Sequence, residues 1–508
     1  MGITVKVLGI SWIVSVLAVT SFAAANDLRL VGAAQNGDRE TVKSLLKQHV
    51  NVNTPQADGA TALAWAVYWD DLETVDLLLH ANANPNAAND YGVTPLSLAC
   101  TNGSAAAVEK LLKAGANPNA AEGAGETVLM KCARAGSGEA VQALLARGAD
   151  VKAKDSRQGH TALMWAAVAK HPEVVRLLIE HGADINAASN TGFSSLMFAA
   201  QQDDMDSARI LLAGGANVNA ANEDGDTALL VASLSGHEAF SIFLLDNGAN
   251  PNAADRNGVT AMHYAILRGL VQIVGVTDNR RAIAPYILRP NMVELVKALL
   301  AHGADPNARL QKPAANGSGP GYGKILRIDR INAGVEPGRP VGATPFLLAA
   351  LTIDAKLMRI LAAGGADPKL GTAAGLTPLM VASGLGRVRR GEEKDALEAV
   401  KVAVELGADV NATSNIGLTA LHGAAMSGAN SIVQFLVEKG ANLDAIDKAG
   451  QTPLAKALNI RPKDGLENML FPNTYRKSTA ELLLKLGATP VDASLARRGP
   501  ADAAAGNQ

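Results

Sequence analysis

Residues 161–192 read TALMWAAVAKHPEVVRLLIEHGADINAASNTG. Thr161 is a favourable helix N-cap, because its side-chain oxygen accepts from an amide that has no partner inside the helix. Leu163, Ala166 and Ala167 then fall on one face of a short helix. A second helix carries Val174, Val175, Leu177, Leu178 and Ile179, and Gly182 fits the left-handed position that ends it. Asp184, Asn186 and the later Gly192 supply the turn residues of a hairpin-like connection.

The same sentence recurs along the chain. Its opening phrase stands at Thr61-Ala62-Leu63, Thr94-Pro95-Leu96, Thr127-Val128-Leu129, Thr161-Ala162-Leu163, Ser194-Ser195-Leu196, Thr227-Ala228-Leu229 and Thr260-Ala261-Met262. The steps are even, apart from one that is longer by a single position, and such a fixed period is the signature of a repeat array. The phrase returns at Thr344-Pro345-Phe346, Thr377-Pro378-Leu379, Thr419-Ala420-Leu421 and Thr452-Pro453-Leu454. Pro after Thr suits the first helical position, where its missing N–H is not needed. Gly-Ala-Asp/Asn phrases close the units, as at Gly115-Ala116-Asn117, Gly303-Ala304-Asp305 and Gly407-Ala408-Asp409. One such unit cannot bury its own apolar face, but stacked units can. Aromatic residues make up only 4% of the 508, so the shared core must be built from Ala, Leu and Val. The 46 Lys+Arg against 48 Asp+Glu lack the basic surplus of a nucleic-acid-binding chain.

These residues resemble the ankyrin-repeat family over roughly residues 27–490, through a T-x-L-x-x-A-A motif, a second helix and G-A-D-x-N repeated about a dozen times. The resemblance implies an all-α solenoid of about 12 helix-turn-helix units with hairpin-like connections. It also implies a non-enzymatic scaffold or adaptor that binds a protein partner through a concave face and hairpin tips. The first unit (27–59) lacks the Thr phrase and has His49 where Gly is usual, and the second has Asn82 there. A divergent polar unit is expected of a terminal cap. The resemblance is nearest to exported bacterial ankyrin-repeat proteins, which implies a periplasmic or extracellular location.

Lys6 is the only charge before Asp27, an apolar run extends from Val7 to Phe22, and Ala23, Ala24 and Ala25 follow. Residues 1–25 therefore read as a secretory signal peptide. No later stretch is apolar for long enough to span a membrane. Repeats are expected over 27–309, with an insertion at 270–290, and again over 343–490. A basic Gly-rich loop fills 310–341, further insertions fall at 384–395 and 460–477, and the Ala- and Gly-rich tail 491–508 reads as disordered.

Two surfaces suggest binding. Two residues after the motif Leu or Met stand Trp65, Trp165, Phe198 and Tyr264, with Tyr68 and Trp69 one turn beyond Trp65. Aromatics on such a face are natural anchors, although they also serve to pack neighbouring first helices. The insertions are basic: Arg280 and Arg281 in 270–290, Arg327 and Arg330 in 310–341. They suggest a contact for an anionic small ligand or glycan, or simply solvated loops. Tyr91, Arg157, Asp224, Arg256 and Lys448 occupy hairpin tips, where they would tune specificity.

Catalytic and cofactor signals are weak. Gly317, Gly319, Gly321, Gly323 and Lys324 fit a phosphate loop poorly, since Ser318 falls on its first Gly and Ile325 where Ser/Thr should bind magnesium. The nine histidines fall on repeat positions and outline no metal site, and no Ser-His-Asp signature appears. No cofactor is implied. Cys100 and Cys132 replace motif alanines in adjacent units and read as small buried thiols, because repeats about 10 Å apart exceed disulfide reach.

Overall fold

A computed structural model of the chain describes residues 27–267, 292–311, 341–385, 391–458 and 476–491. The signal peptide expected at 1–25, the insertion at 270–290 and the tail beyond 491 lie outside them. So do nearly all of the loop at 310–341 and parts of the insertions at 384–395 and 460–477.

The chain divides into two units, with the boundary between Asn217 and Val218. Among the described residues the first holds six helix pairs: α1 (Arg29–Gln35) with α2 (Arg39–Lys47), α3 (Ala62–Tyr68) with α4 (Leu72–His80), α5 (Pro95–Thr101) with α6 (Ala105–Lys113), α7 (Val128–Ala135) with α8 (Gly138–Ala146), α9 (Ala162–Val168) with α10 (Pro172–Glu180), and α11 (Ser195–Gln202) with α12 (Met205–Ala213). The second holds α13 (Ala228–Ser235) with α14 (Glu238–Asp246), α15 (Ala261–Leu267) with α16 (Val293–Ala301), and α17 (Pro345–Leu351) with α18 (Ala355–Ala363). It continues with α19 (Pro378–Met380) and α20 (Glu393–Glu405), α21 (Ala420–Ser427) with α22 (Asn430–Glu438), and α23 (Pro453–Ala457) with α24 (Lys477–Lys485). The expected all-α array of paired helices is therefore what the described residues form.

Local chemistry sets each boundary. The side-chain oxygens of Thr61, Thr94, Thr127, Thr161, Ser194 and Thr227 accept from the amide three residues on, as do those of Thr344, Thr377, Thr419 and Thr452. Asp38, Asp71, Ser104, Asp204 and Asp354 cap second helices in the same way. Gly182 adopts a φ of 86°, and His49 and Asn82 adopt positive φ in the corresponding slot. Between helix pairs the hairpins are short. β1 (Ala121–Glu122) and β2 (Glu126–Thr127) pair antiparallel, with Glu122 opposite Glu126.

Within each unit the core runs between the paired helices and from one repeat to the next. Leu163, Ala166, Ala167, Val175 and Leu178 are fully buried in their repeat. Outside the core, asparagines stitch neighbours together: Asn86 Nδ2 donates to the Gly115 carbonyl at 2.9 Å, and its Oδ1 accepts from Asn117 N at 2.7 Å. Asn53, Asn119 and Asn186 repeat this arrangement in the first unit, and Asn219, Asn252, Asn307 and Asn411 in the second.

The expectation of two free thiols is corrected. Cys100 in α5 and Cys132 in α7 are joined by a disulfide, with their Cα atoms 4.4 Å apart. Repeat spacing was the wrong ruler. Helix axes about 8–10 Å apart, each ringed by Cα atoms at about 2.3 Å radius, leave only some 3.4–5.4 Å along the line of closest approach. Small residues at that line let two facing Cα atoms come within bridging reach.

Candidate functional site

The first-helix face of the first unit gathers most of the residues that sequence reasoning singled out. Trp65 lies half-buried on α3, and its Nε1–H donates to Gln56 Oε1 at 3.1 Å. Gln56 in turn donates to Gln35 Oε1 at 2.8 Å, and the Trp69 indole N–H donates to the Gln35 carbonyl at 2.9 Å. Tyr68 packs edge-on against both indoles, with ring centroids 5.6 Å from Trp65 and 4.9 Å from Trp69. Tyr68 remains 51% exposed and Trp69 56% exposed. Each ring is thus held by neighbours, while Tyr68 and Trp69 keep more than half of their surface facing solvent.

A second group sits further along the same unit. The Arg134 guanidinium lies 5.0 Å from the Trp165 ring centroid, within cation–π range. His160 stands edge-on to Trp165 at 5.2 Å and to Phe198 at 5.3 Å, and Phe198 also meets Phe193 at 5.5 Å. Burial pushes the His160 imidazole toward its neutral form, opposed by the nearby Asp155 carboxylate. Among the described residues the Trp165 Nε1–H has no hydrogen-bond partner, unlike that of Trp65. Beside this group Lys131 Nζ, nine-tenths buried, lies 2.9 Å from Glu122, and Arg134 lies 2.8 Å from Glu126. These cations are therefore already paired.

The hairpin tips are linked in sequence. Asp90 N donates to the Asp58 carbonyl at 2.9 Å, and Ser156 N donates to the Ala124 carbonyl at 2.7 Å. Tyr91, next to Asp90, is 76% exposed, and Arg157 is exposed on its own tip. In the second unit Arg256 pairs with Asp224, and Lys448 N donates to the Ile416 carbonyl at 2.9 Å.

Tyr264, also in the second unit, is only 4% exposed, apart from any solvent-facing aromatic set. Arg280, Arg281, Arg327 and Arg330 lie outside the described residues. His263 and His422 complete helix caps. Thr260 N donates to His263 Nδ1 at 3.1 Å and Thr419 N to His422 Nδ1 at 3.1 Å, so Nδ1 is unprotonated in both. Among the described residues no group of three or more His, Cys, Asp or Glu is placed to hold a metal. No described helix is long and apolar enough to cross a membrane.

Sequence reasoning missed Gln35 and Gln56, which anchor the Trp69 and Trp65 indoles. Neither belongs to the repeated phrase, so no periodic signal marks them. It also read the recurring asparagines as turn formers only. Their return at one slot per repeat was the available sign of a bridging role.

A family model described as "Ankyrin repeats (3 copies)" matches residues 30–122, 119–189, 196–276 and 391–488. The B-cell lymphoma 3 protein homolog of Mus musculus is 34% identical over 117 residues, covering 23% of this chain and 25% of that protein. The B-cell lymphoma 3 protein of Homo sapiens is 33% identical over 117 residues, with 23% and 24% covered. The putative ankyrin repeat protein L271 of Acanthamoeba polyphaga mimivirus is 34% identical over 82 residues, with 16% and 11% covered. The chain thus matches about a quarter or less of the length of these relatives. Among solved structures, the human ASB11 ankyrin repeat domain aligns with a TM-score of 0.40 and 27% identity, over 44% of this chain and 98% of that one.

These relatives overturn the expectation of an exported bacterial type and, with it, of a periplasmic or extracellular location. They are mouse, human and viral proteins. The repeats themselves carry no address, and the export reading rested on Lys6, the apolar run from Val7 to Phe22 and Ala23–Ala25, together with the resemblance to exported bacterial proteins. The repeats supply a scaffold and no catalytic chemistry. With the family model covering more than half of its length, the chain belongs to the ankyrin-repeat family.

Proposed function

We propose that the first unit binds a protein partner on its first-helix face, the concave face of the sequence reading, through Trp65, Tyr68, Trp69, Trp165 and Phe198, with Tyr91 contributing from a hairpin tip. The observation that carries this is the Tyr68–Trp69 pair, more than half exposed yet fixed edge to face at 4.9 Å. An aromatic ring whose rotamer is already held loses little conformational entropy on binding and buries a large area. A ring needed only to pack adjacent helices would be covered by them.

The test is site-specific photo-crosslinking in native extract. Benzoylphenylalanine is placed at Tyr68, at Tyr91, or at Lys113 on the exposed side of α6. One protein captured from Tyr68 and Tyr91 but not from Lys113 supports the reading. Capture from Lys113 alone, or from none of the three, overturns it.

A further inference from the structure

The stretch 48–109, between Lys47 and Lys110, contains no Lys or Arg and seven Asp or Glu. Four of the seven are neutralised on the second-helix side. Asp71 pairs with Arg39, Glu73 with Arg39 and Lys43, Asp76 with Lys110, and Glu109 with Lys113. The other three, Asp58, Asp70 and Asp90, make no ion pair among the described residues.

These three carboxylates flank the exposed aromatic pair. Asp70 follows Trp69 directly, at a positive φ of 53° where the chain leaves α3. Asp58 shares its hairpin with Gln56, which holds Trp65. Asp90 is hydrogen-bonded through its backbone to the Asp58 tip and is followed by the exposed Tyr91. The face of repeats two and three therefore presents a strip, acidic at the hairpin tips and at the helix end, with Trp65, Tyr68 and Trp69 between.

Such a strip complements one kind of surface. Uncompensated carboxylates attract cations, most strongly at low ionic strength. Aromatic faces add a quadrupole attraction for a cation, and a planar guanidinium uses both better than an ammonium because it also stacks. Apolar side chains spaced between the cations would cover the remaining ring surface. Resting on the interaction reading above, we infer that this strip receives an arginine-bearing basic segment of the partner protein.

The test uses the full chain and fluorescein-labelled (Arg-Leu)4, (Lys-Leu)4 and (Glu-Leu)4 peptides, followed by anisotropy at low and high salt. The expected result is saturable binding in the order Arg, then Lys, with Glu absent. Asp58→Asn/Asp70→Asn/Asp90→Asn should weaken (Arg-Leu)4 by about tenfold and flatten its salt dependence. Trp69→Ala should weaken it at either salt concentration. The triple variant changes only surface groups, so it remains informative if Trp69→Ala fails to fold. Glu109→Gln, which removes an already paired carboxylate, should change nothing.

Equal binding of (Glu-Leu)4, no saturable binding of (Arg-Leu)4, or an unaffected triple variant overturns the inference. It is overturned as well if Arg327→Glu/Arg330→Glu in the same chain raises probe affinity, since the chain's own insertion would then be the occupant. A dimer in sedimentation that the triple variant abolishes would likewise overturn it, by identifying a second copy as the occupant. A partner crosslinked at Tyr68 but indifferent to the triple variant removes this inference alone and leaves the interaction reading standing.

Discussion

The Asn86 side chain spans two repeats, donating to the Gly115 carbonyl at 2.9 Å and accepting from Asn117 N at 2.7 Å. Arrays of this kind are held by interfaces between neighbours, so each such bridge adds to the term that decides whether a repeat stays docked. Asn86→Ala removes both bonds and should cost about 1–3 kcal/mol, at about 0.5–1.5 kcal/mol per bond. Urea denaturation would show this as a lower midpoint with an unchanged slope. Lys152 occupies the equivalent slot between Asn119 and Asn186, where no side-chain bridge forms among the described residues. Lys152→Asn should therefore raise stability by about 1 kcal/mol. An unchanged midpoint in both variants would show that the bridges carry no net stability.

The Cys100–Cys132 disulfide ties two consecutive first helices across a sequence separation of 32 residues. In the chain-entropy view a loop of that length is worth about 3–4 kcal/mol. Both sites replace motif alanines, so Cys100→Ala/Cys132→Ala restores the usual residue with little loss of packing. Reduced wild type and this double variant should therefore melt together, below the oxidised protein. Thiol titration in denaturant without reductant should find no free thiol. Two titratable thiols would contradict the bridge.

The parts of the fold legible in the sequence are those set by a residue's own backbone neighbours. Thr161 caps a helix and Gly182 ends one whatever surrounds them, and His49 and Asn82 could be recognised as stand-ins for glycine. What depended on a second repeat was not legible. The row containing Trp65 and Tyr264 fixes the side of the helix, but not how deeply other side chains cover it. One ring therefore joins an exposed cluster while the other is buried. Gln35 and Gln56 matter only because they reach indoles elsewhere in the chain. The cysteines failed because an average spacing says nothing about the point of closest approach.

Gly384 gives a sharp packing test in the second unit. After α19 the chain makes a single π turn over Val381–Leu385, in which Gly384 has a φ of 124°. A Cβ placed there would lie 2.5 Å from both the Gly423 carbonyl oxygen and Ser427 Oγ. Gly423 is also confined, though less tightly, since its own Cβ would lie 3.0 Å from Leu385. This explains why glycine stands two residues after the motif Leu421, at the slot that Trp65 and Trp165 occupy in their repeats. Gly384→Ala combines an unfavourable φ with a backbone clash and should cost about 2–4 kcal/mol. Thermal melting of the variant against Gly391→Ala is the comparison, because a Cβ at Gly391 meets nothing within 4 Å. Equal losses from the two would show that φ alone, and not the contact with Gly423, is responsible.

His263 makes the second unit sensitive to acid. It is fully buried, and that burial pushes its pKa from 6.5 down to about 4, against the opposing pull of the Ala343 and Ala308 backbone and of Asp305. Its Nδ1 accepts from Thr260 N, a bond that a protonated ring would lose. Between the two pKa values the unfolded chain binds a proton that the folded chain does not. The stability contributed by this site is therefore complete above about pH 6.5 and is lost as pH falls toward 4. At about 1.4 kcal/mol per pH unit, the loss by pH 5 should be about 1–2 kcal/mol. Burial shifts His422 in the same direction and adds to the slope. Urea unfolding at pH 7 and pH 5 should show a smaller pH-dependent loss in His263→Gln than in the wild type, because glutamine does not titrate. Identical losses in the two proteins would place the acid sensitivity elsewhere.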